Sequence, residues 1–204
     1  MNKSGKHEFH QEMVLSGTAS SGVTTQELSK MDDTIHLFID GDDTLFHKTM
    51  LPPGQSVHSD PHAFTSLGTN LRAQARPSAR AFIRHFRNKG VIVSCLTGGH
   101  SDEQKLALSR ARLSIDNVFG FDNRNEMPPL PRHWLLVDDL PPNERDLCGK
   151  FARILGISDL ALSRAEFEKA IAENFVKCRP FCGIDDREPL TDLIPIVSQK
   201  LGLS

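Results

Sequence analysis

The sequence predicts an α/β fold: a Rossmann-like parallel sheet between two layers of helices, in a three-layer α/β/α architecture. Short apolar runs alternate along the chain with amphipathic segments, which favours a parallel sheet covered on both faces. Polar or acidic residues follow most of these runs directly. In sheets of this kind, ligands bind beyond the carboxyl ends of the strands, where the strand order reverses. We therefore expect the functional residues at the ends of the strands.

The predicted strands are apolar runs too short for helices, and they cover 34–39, 91–96, 117–121 and 134–137. The first leads into Asp40, and the second leads into Thr97 and Gly98. The fourth is followed by Asp138 and Asp139. Carboxylates and a hydroxyl thus stand at the ends of three separate strands.

The predicted helices lie between and after these strands. The first carries apolar residues at helical spacing from Ala79 to Phe86. The second begins at Ser101, which is expected to form a capping box with Gln104. The later helices cover 143–155, 163–175 with the capping pair Ser163 and Glu166, and 187–201, which Pro189 and Pro195 should bend or delay.

The chain divides into a polar tail, a folded domain and an insertion. Residues 1–33 are rich in Ser, Thr, Gly, Lys and Glu, which predicts a mobile tail before a folded domain at 34–204. Prolines and glycines recur between 46 and 75 and exclude a long helix there. We expect that segment to be a short insertion or flap.

Charge and cysteine content exclude several classes of function. The 24 Lys and Arg nearly balance the 26 Asp and Glu, so no basic surface for nucleic acid or an anionic membrane is expected. No segment reads as a signal peptide or membrane span, so we expect a cytoplasmic protein. A metal site or a disulfide at Cys178 and Cys182 is the less favoured alternative to buried or incidental thiols.

The segment Asp40-Gly41-Asp42-Asp43-Thr44 contains the residue types that phosphoester cleavage requires. The reaction needs a nucleophile, a proton donor for the leaving oxygen and positive charge around the transferring oxygens. We expect Asp40 to attack phosphorus and form an aspartyl-phosphate, which divides the hydrolysis into two steps. We expect Asp42 to protonate the leaving group and then to activate water. Taken alone, the segment could also be a turn with solvated carboxylates.

The acidic residues at the strand ends also predict a metal site. Carboxylates and a phosphate dianion repel one another, so a hard cation is required, and carboxylate and carbonyl oxygens suit Mg²⁺. We expect Asp40, the backbone carbonyl of Asp42 and the carboxylate of Asp139 to bind it directly. Asp138 is expected to bind directly or through water.

These residues resemble the motifs of the haloacid-dehalogenase-like phosphatases: Asp-x-Asp-x-Thr, a strand-terminal Thr or Ser, a basic residue, and a strand-terminal acidic pair. Three of these motifs match, within 34–140. The segment 188–196 and the lack of a large cap are similar to the branch that acts on the RNA polymerase C-terminal domain and its NLI-interacting-factor relatives. The resemblance implies a magnesium-dependent phosphatase with an open site and a phosphorylated substrate, often a phosphoprotein.

The basic residue that binds phosphate departs from this family. The hydroxyl of Thr97 and the amide of Gly98 can donate to phosphate oxygens. The family usually has a lysine shortly before the acidic pair, but no lysine lies between Lys105 and Asp138. Arg124 is the predicted substitute, because a guanidinium stays charged and grips phosphate in a fork. Lys105 is the second choice.

A second departure supports a rival hypothesis. Gly41 stands where the family has an apolar side chain, and it is expected to loosen the loop between the two acids. Together with the missing lysine, it suggests a non-catalytic scaffold that keeps the fold and acts by protein binding. Asp42 argues against the scaffold, because binding needs no proton shuttle. Phosphoryl transfer to an acceptor other than water is a third alternative, and the oligomeric state is left open.

Overall fold

The computed structural model describes residues 34–127, 131, 133–141, 145–157 and 162–203, apart from the side chain of Arg124. The tail predicted at 1–33 lies outside this part of the chain. The described strands are β1 (Ile35–Ile39), β2 (Phe46–Met50), β3 (Ala63–Ser66), β4 (Thr69–Ala75), β5 (Ile92–Leu96), β6 (Asn117–Phe119), β7 (His133–Asp138) and β8 (Phe175–Lys177). The described helices are α1 (Ala79–Asn88), α2 (Ser101–Arg110), α3 (Arg145–Ile154), α4 (Arg164–Asn174) and α5 (Ile194–Lys200).

The main sheet is parallel and has the order β6-β5-β1-β7-β8. Its first strand lies in the centre, with Ile39 paired to Cys95 of β5 on one side and to Val137 of β7 on the other. The chain builds outward from β1 in one direction and then crosses back to build in the other. The strand order therefore reverses between β1 and β7, where a ligand site is expected.

Helices cover both faces of this sheet, which confirms the predicted three-layer architecture. Alternate residues of a strand point to opposite faces. Leu37 and Ile39 of β1 therefore belong to a core that includes Phe82 of α1. Phe38 points the other way, into a core that includes Phe151 of α3. All five side chains are at most 1% exposed, so the apolar runs of the sequence are buried on both faces, as predicted.

The segment 46–75 forms a second sheet, antiparallel and with the order β2-β4-β3. Phe46, Phe64 and Ala73 from this small sheet are buried in the same core as α1. The small sheet is thereby fixed to the main domain. Lys48 of β2 also reaches α2, where its Nζ lies 2.5 Å from Glu103 Oε1.

The capping box predicted at Ser101 and Gln104 is wrong. His100 precedes the first turn of α2 and makes no side-chain capping bond. Ser101 Oγ instead donates to the carboxylate of Asp122, and Gln104 is 1% exposed. Both side chains therefore bond to residues distant in the sequence and do not cap the helix. The capping box at Ser163 and Glu166 is confirmed at the start of α4.

The C-terminal part differs from the prediction in one strand. The helix expected at 163–175 ends at Asn174, and Phe175 begins β8, which pairs with β7. A strand of three residues gives too short a pattern to be recognised in the sequence. The closing helix is delayed, as expected: a 3-10 turn at Leu190–Leu193 precedes α5, and Pro195 lies in the first turn of that helix.

None of the described helices combines the length and the apolar character needed to cross a lipid bilayer. All four cysteines are free thiols, so Cys178 and Cys182 do not form a disulfide.

Candidate active site

Three strand ends meet at the point where the strand order reverses. Asp40 follows β1, and its backbone N–H donates to the carbonyl of Val137, 2.9 Å away on β7. Thr97 follows β5, and Asp138 is the last residue of β7. They border a cavity of about 300 Å³, which is lined by Asp40, Asp42, Asp43, Thr97, Gly98, Gly99, Asp139, Leu140, Asp146 and Lys150.

Asp40, Asp138 and Asp139 form an acidic cluster in which one carboxylate oxygen of each lies within 4.8 Å of the others. Asp40 is 5% exposed and Asp138 is fully buried. Burial raises the pKa of Asp40 to about 7, against the opposing effect of the Lys150 cation, and the nearby Asp138 adds to the rise. Burial also raises the pKa of Asp139. Three converging hard oxygen donors fit a Mg²⁺ ion.

A buried lysine that the sequence reasoning missed lies in this cluster. Lys150 Nζ lies 2.5 Å from Asp40 Oδ1 and 2.6 Å from Asp138 Oδ2. Burial alone would lower the pKa of Lys150, but the two carboxylates raise it above its ordinary value. The ammonium group is therefore charged, and it places positive charge beside Asp40 at the cavity.

The sequence contained a signal for Lys150. Along α3, Leu147, Phe151 and Ile154 are buried, and Lys150 lies on the same side of the helix at 3% exposure. A lysine in an apolar stripe is rarely buried unless it has a charged partner. The resemblance placed the basic residue before the acidic pair, whereas Lys150 follows Asp138 along the chain.

Of the two residues predicted to supply the basic group, Lys105 does not lie at this point. Lys105 is on the exposed side of α2, where its Nζ pairs with Asp102 Oδ1 at 3.0 Å. The backbone of Arg124 lies in a 3-10 turn at Arg124–Glu126, and its side chain lies outside the described part of the chain. The role of Arg124 stays a prediction.

On the other side of the cavity, Gln104 links Asp42 to Thr97. Its Nε2 donates to Asp42 Oδ2 at 2.7 Å and to Thr97 Oγ1 at 3.0 Å. Lys48 Nζ lies 3.0 Å from the other oxygen of Asp42. Thr97 Oγ1 also accepts from the N–H of Gly99 at 3.0 Å. Because the oxygen of this hydroxyl already accepts two hydrogen bonds, its hydrogen remains free to donate to an acceptor in the cavity.

Gly41 provides space for the side chain of Gln104. This role differs from the predicted one, which was to loosen the loop between the two acids. Its φ lies outside the left-handed region, so the backbone does not require glycine there. A Cβ at this position would lie 2.9 Å from Gln104 Oε1 and 3.3 Å from Cys95 Sγ. The volume that an apolar side chain would fill is taken by the amide of Gln104.

Asp43 and Thr44 shape the loop and orient the acidic cluster. Asp43 has a left-handed φ of 56°, and its Oδ1 lies 2.6 Å from His47 Nδ1. Thr44 is fully buried, and its hydroxyl donates to Asp139 Oδ1 at 3.0 Å. Thr44 therefore fixes the orientation of the Asp139 carboxylate.

The parallel strand order and the helices on both faces define a Rossmann-like three-layer α/β domain, with Asp40, Thr97 and the acidic pair at the carboxyl ends of its strands. No family model matches the chain, and no curated protein matches it. Two solved structures resemble it: Fcp1, described as an essential RNA polymerase II CTD phosphatase, and a variant of fission yeast Fcp1 bound to beryllium fluoride. The identities are 14% and 13%, and both TM-scores are 0.42. The alignments cover 86% and 87% of this chain, but only 53% of each Fcp1 chain.

Proposed function

We propose that this chain is a magnesium-dependent phosphatase that hydrolyses phosphomonoesters through an aspartyl-phosphate on Asp40. The observation that carries the proposal is the composition of one cavity. It contains a buried carboxylate cluster with Lys150 on one side and, on the other, a separate carboxylate, Asp42, held by Gln104 and Lys48.

In the first step, Asp40 acts as the nucleophile. Its ion pair with Lys150 favours the charged form against the effect of burial. When bound by Asp40, Asp138 and Asp139, Mg²⁺ would neutralise charge on the phosphoryl group and the surrounding carboxylates. Thr97 donates its hydroxyl hydrogen to a phosphoryl oxygen. These contacts place positive charge and donors around the transferring oxygens.

Asp42 acts as the general acid in the first step and as the general base in the second. It lies two residues after Asp40 and lines the same cavity. In the first step it gives a proton to the leaving oxygen, and in the second it takes one from the water that attacks the aspartyl-phosphate. Gln104 donates to one oxygen of Asp42 and the Lys48 cation lies 3.0 Å from the other, and together they orient the side chain in the cavity.

The structure weakens the main argument for the rival scaffold. That hypothesis rested on a missing lysine and on Gly41. Lys150 supplies a cation at the cluster, and Gly41 has a steric reason to be glycine. A scaffold that only binds other proteins would have no use for a buried cation between two carboxylates, whose desolvation costs free energy.

A phosphoprotein is the substrate class we propose, because the cavity is a small depression of about 300 Å³ and a phosphorylated side chain can enter it from a large partner. We also propose a cytoplasmic location, in which the free thiols would stay reduced. A panel of phosphopeptides tests the substrate class, and equal rates on small aryl phosphates and all peptides would contradict it.

The central experiment is magnesium-dependent phosphate release from an aryl phosphate by the parent and by Asp40→Asn and Asp42→Asn. We expect Asp40→Asn to lose activity by about a thousandfold or more, because the nucleophile is gone. Asp42→Asn should lose about a hundredfold to ten-thousandfold. Asp102→Asn is a matched control, since that side chain is 86% exposed on α2. Equal rates for the parent and the Asp40 variant would refute the proposal.

A further inference from the structure

A cavity of about 540 Å³ lies between α1 and the loop that follows α2, and four arginines line it. Arg80, Arg84 and Arg87 recur at helical spacing along one side of α1. Arg112 faces them from the loop, and Arg80 Nη2 donates to its backbone carbonyl at 3.2 Å. We call this cavity the arginine groove.

The arginine groove is separate from the candidate active site. Arg87 lies in the last turn of α1, just before β5, and Arg112 shortly precedes β6. The groove is therefore displaced toward the amino ends of these strands, whereas Asp40 and Thr97 follow the carboxyl ends. In the part of the chain that the structure describes, the two cavities share no lining residue.

Most of the positive charge in the arginine groove has no acidic partner within the described residues. Arg87 pairs with Asp116, with 2.8 Å between Nη2 and Oδ1. Arg80, Arg84 and Arg112 form no ion pair with any carboxylate in the described part of the chain. The whole chain has a net charge of −2, so this is a local concentration of positive charge. An anion bound in the groove would relieve the repulsion among the guanidinium groups.

The backbone at Arg112 adds a second observation. Arg112 has a φ of 56°, and it follows the last turn of α2, where glycine is the favoured residue. A side chain in this conformation is strained, because its Cβ lies too close to the following carbonyl oxygen. The chain thus holds a guanidinium at a position where local backbone preference favours no side chain, and non-glycine residues in such conformations concentrate at functional sites.

We propose that the arginine groove binds an acidic segment of another protein, with carboxylates on the guanidinium groups. Arginine offers planar pairs of donors that match a carboxylate, and arginine clusters recognise acidic peptide motifs. Ile83 and Leu113 also line the groove, so an apolar side chain flanked by acids would find both charge and apolar contact. Among the described residues, no aromatic side chain lines the groove to stack a base, which favours a peptide over single-stranded nucleic acid.

The test is binding of a fluorescein-labelled peptide of Glu and Asp around a central Leu, measured by fluorescence anisotropy on the full chain. The double variant Arg84→Gln with Arg112→Gln removes two unpaired guanidinium groups. The matched control is Arg164→Gln with Arg187→Gln, because both arginines are exposed and each pairs locally on another part of the surface. The comparison peptides are one with Gln in place of the acids and a short single-stranded RNA. Thermal melts of all variants check that they fold.

We expect the parent to bind the acidic peptide with an affinity that falls as salt rises. The groove variant should bind about tenfold more weakly or worse, and the control variant within about twofold of the parent. The proposal is overturned if the groove variant binds like the parent, if the acidic peptide does not bind at low salt, or if the RNA binds more tightly through the same two arginines. This assay measures peptide binding and not phosphatase activity, so its result is independent of whether the proposed function is correct.

Discussion

Replacing Lys150 by methionine tests the arrangement at the centre of the site. Methionine is apolar and similar in length to lysine, so it fills the same space between α3 and the sheet without leaving a cavity. It removes the ammonium that lies 2.5 Å from Asp40 and 2.6 Å from Asp138, and it leaves two buried carboxylates without that partner. Breaking a buried ion pair in this way costs about 3–5 kcal/mol of stability.

The loss of stability should depend on pH. Burial raises the pKa of Asp40 to about 7 even with Lys150 present, and removing the cation would raise it further. A carboxyl whose pKa is raised on folding has its full stability below the unfolded value of about 4 and loses it as pH rises through the folded value. The deficit of the variant should therefore be smaller near pH 5, where Asp40 is protonated, than above pH 7.

Urea denaturation near pH 5 and near pH 8, with a metal chelator present, measures this deficit for Lys150→Met against the parent. Lys105→Met is the matched control, because Lys105 is 52% exposed and its pair with Asp102 is worth less than about 1 kcal/mol. A deficit below about 1 kcal/mol near pH 8, or one that is equal at the two pH values, would show that Lys150 is not held between ionised carboxylates.

Further substitutions test the surroundings of the site. Gly41→Ala should cost about 1–3 kcal/mol in urea denaturation, and clearly less in a Gln104→Ala background, because the added Cβ meets the Gln104 amide at 2.9 Å; equal costs would contradict this contact. Arg76→Gln should cost about 3–5 kcal/mol because Arg76 is 2% exposed and its Nε lies 2.7 Å from Asp186, whereas the exposed control Arg187→Gln should cost under about 1 kcal/mol. Burial raises the pKa of Cys178 to about 12, so a thiol reagent near pH 8 should label the exposed Cys182 in the native protein but Cys178 only on unfolding, and mass spectrometry that finds Cys178 labelled quickly in the native protein would contradict that burial.

The sequence was most informative where a property belongs to a continuous segment. The apolar runs around Leu37 and Leu135 form strands buried on both faces, and the apolar residues near Phe82 form a helix covering one face. Polar residues after such runs could be placed at one edge of the sheet, because parallel strands end on the same side. That reasoning brought Asp40 and Thr97 to one cavity.

Local patterns failed where a side chain has a distant partner. Ser101 and Gln104 have the spacing of a capping box, yet Asp122 binds the first and Asp42 accepts from the second. The pairing of β8, which begins at Phe175, with β7 could not be predicted either, because a three-residue strand has too short a pattern to be recognised.

The sequence by itself determined the layer order of this protein and the strand ends that carry Asp40, Asp42, Thr97 and the acidic pair, because hydrophobic periodicity and strand direction are local properties of the chain. Only the tertiary structure showed which residue supplies the cation at the acidic cluster. Lys150 is 110 residues from Asp40 along the chain, and packing of α3 against the sheet places its ammonium between two carboxylates. A contact of that separation depends on how whole elements pack, which no short segment of sequence specifies.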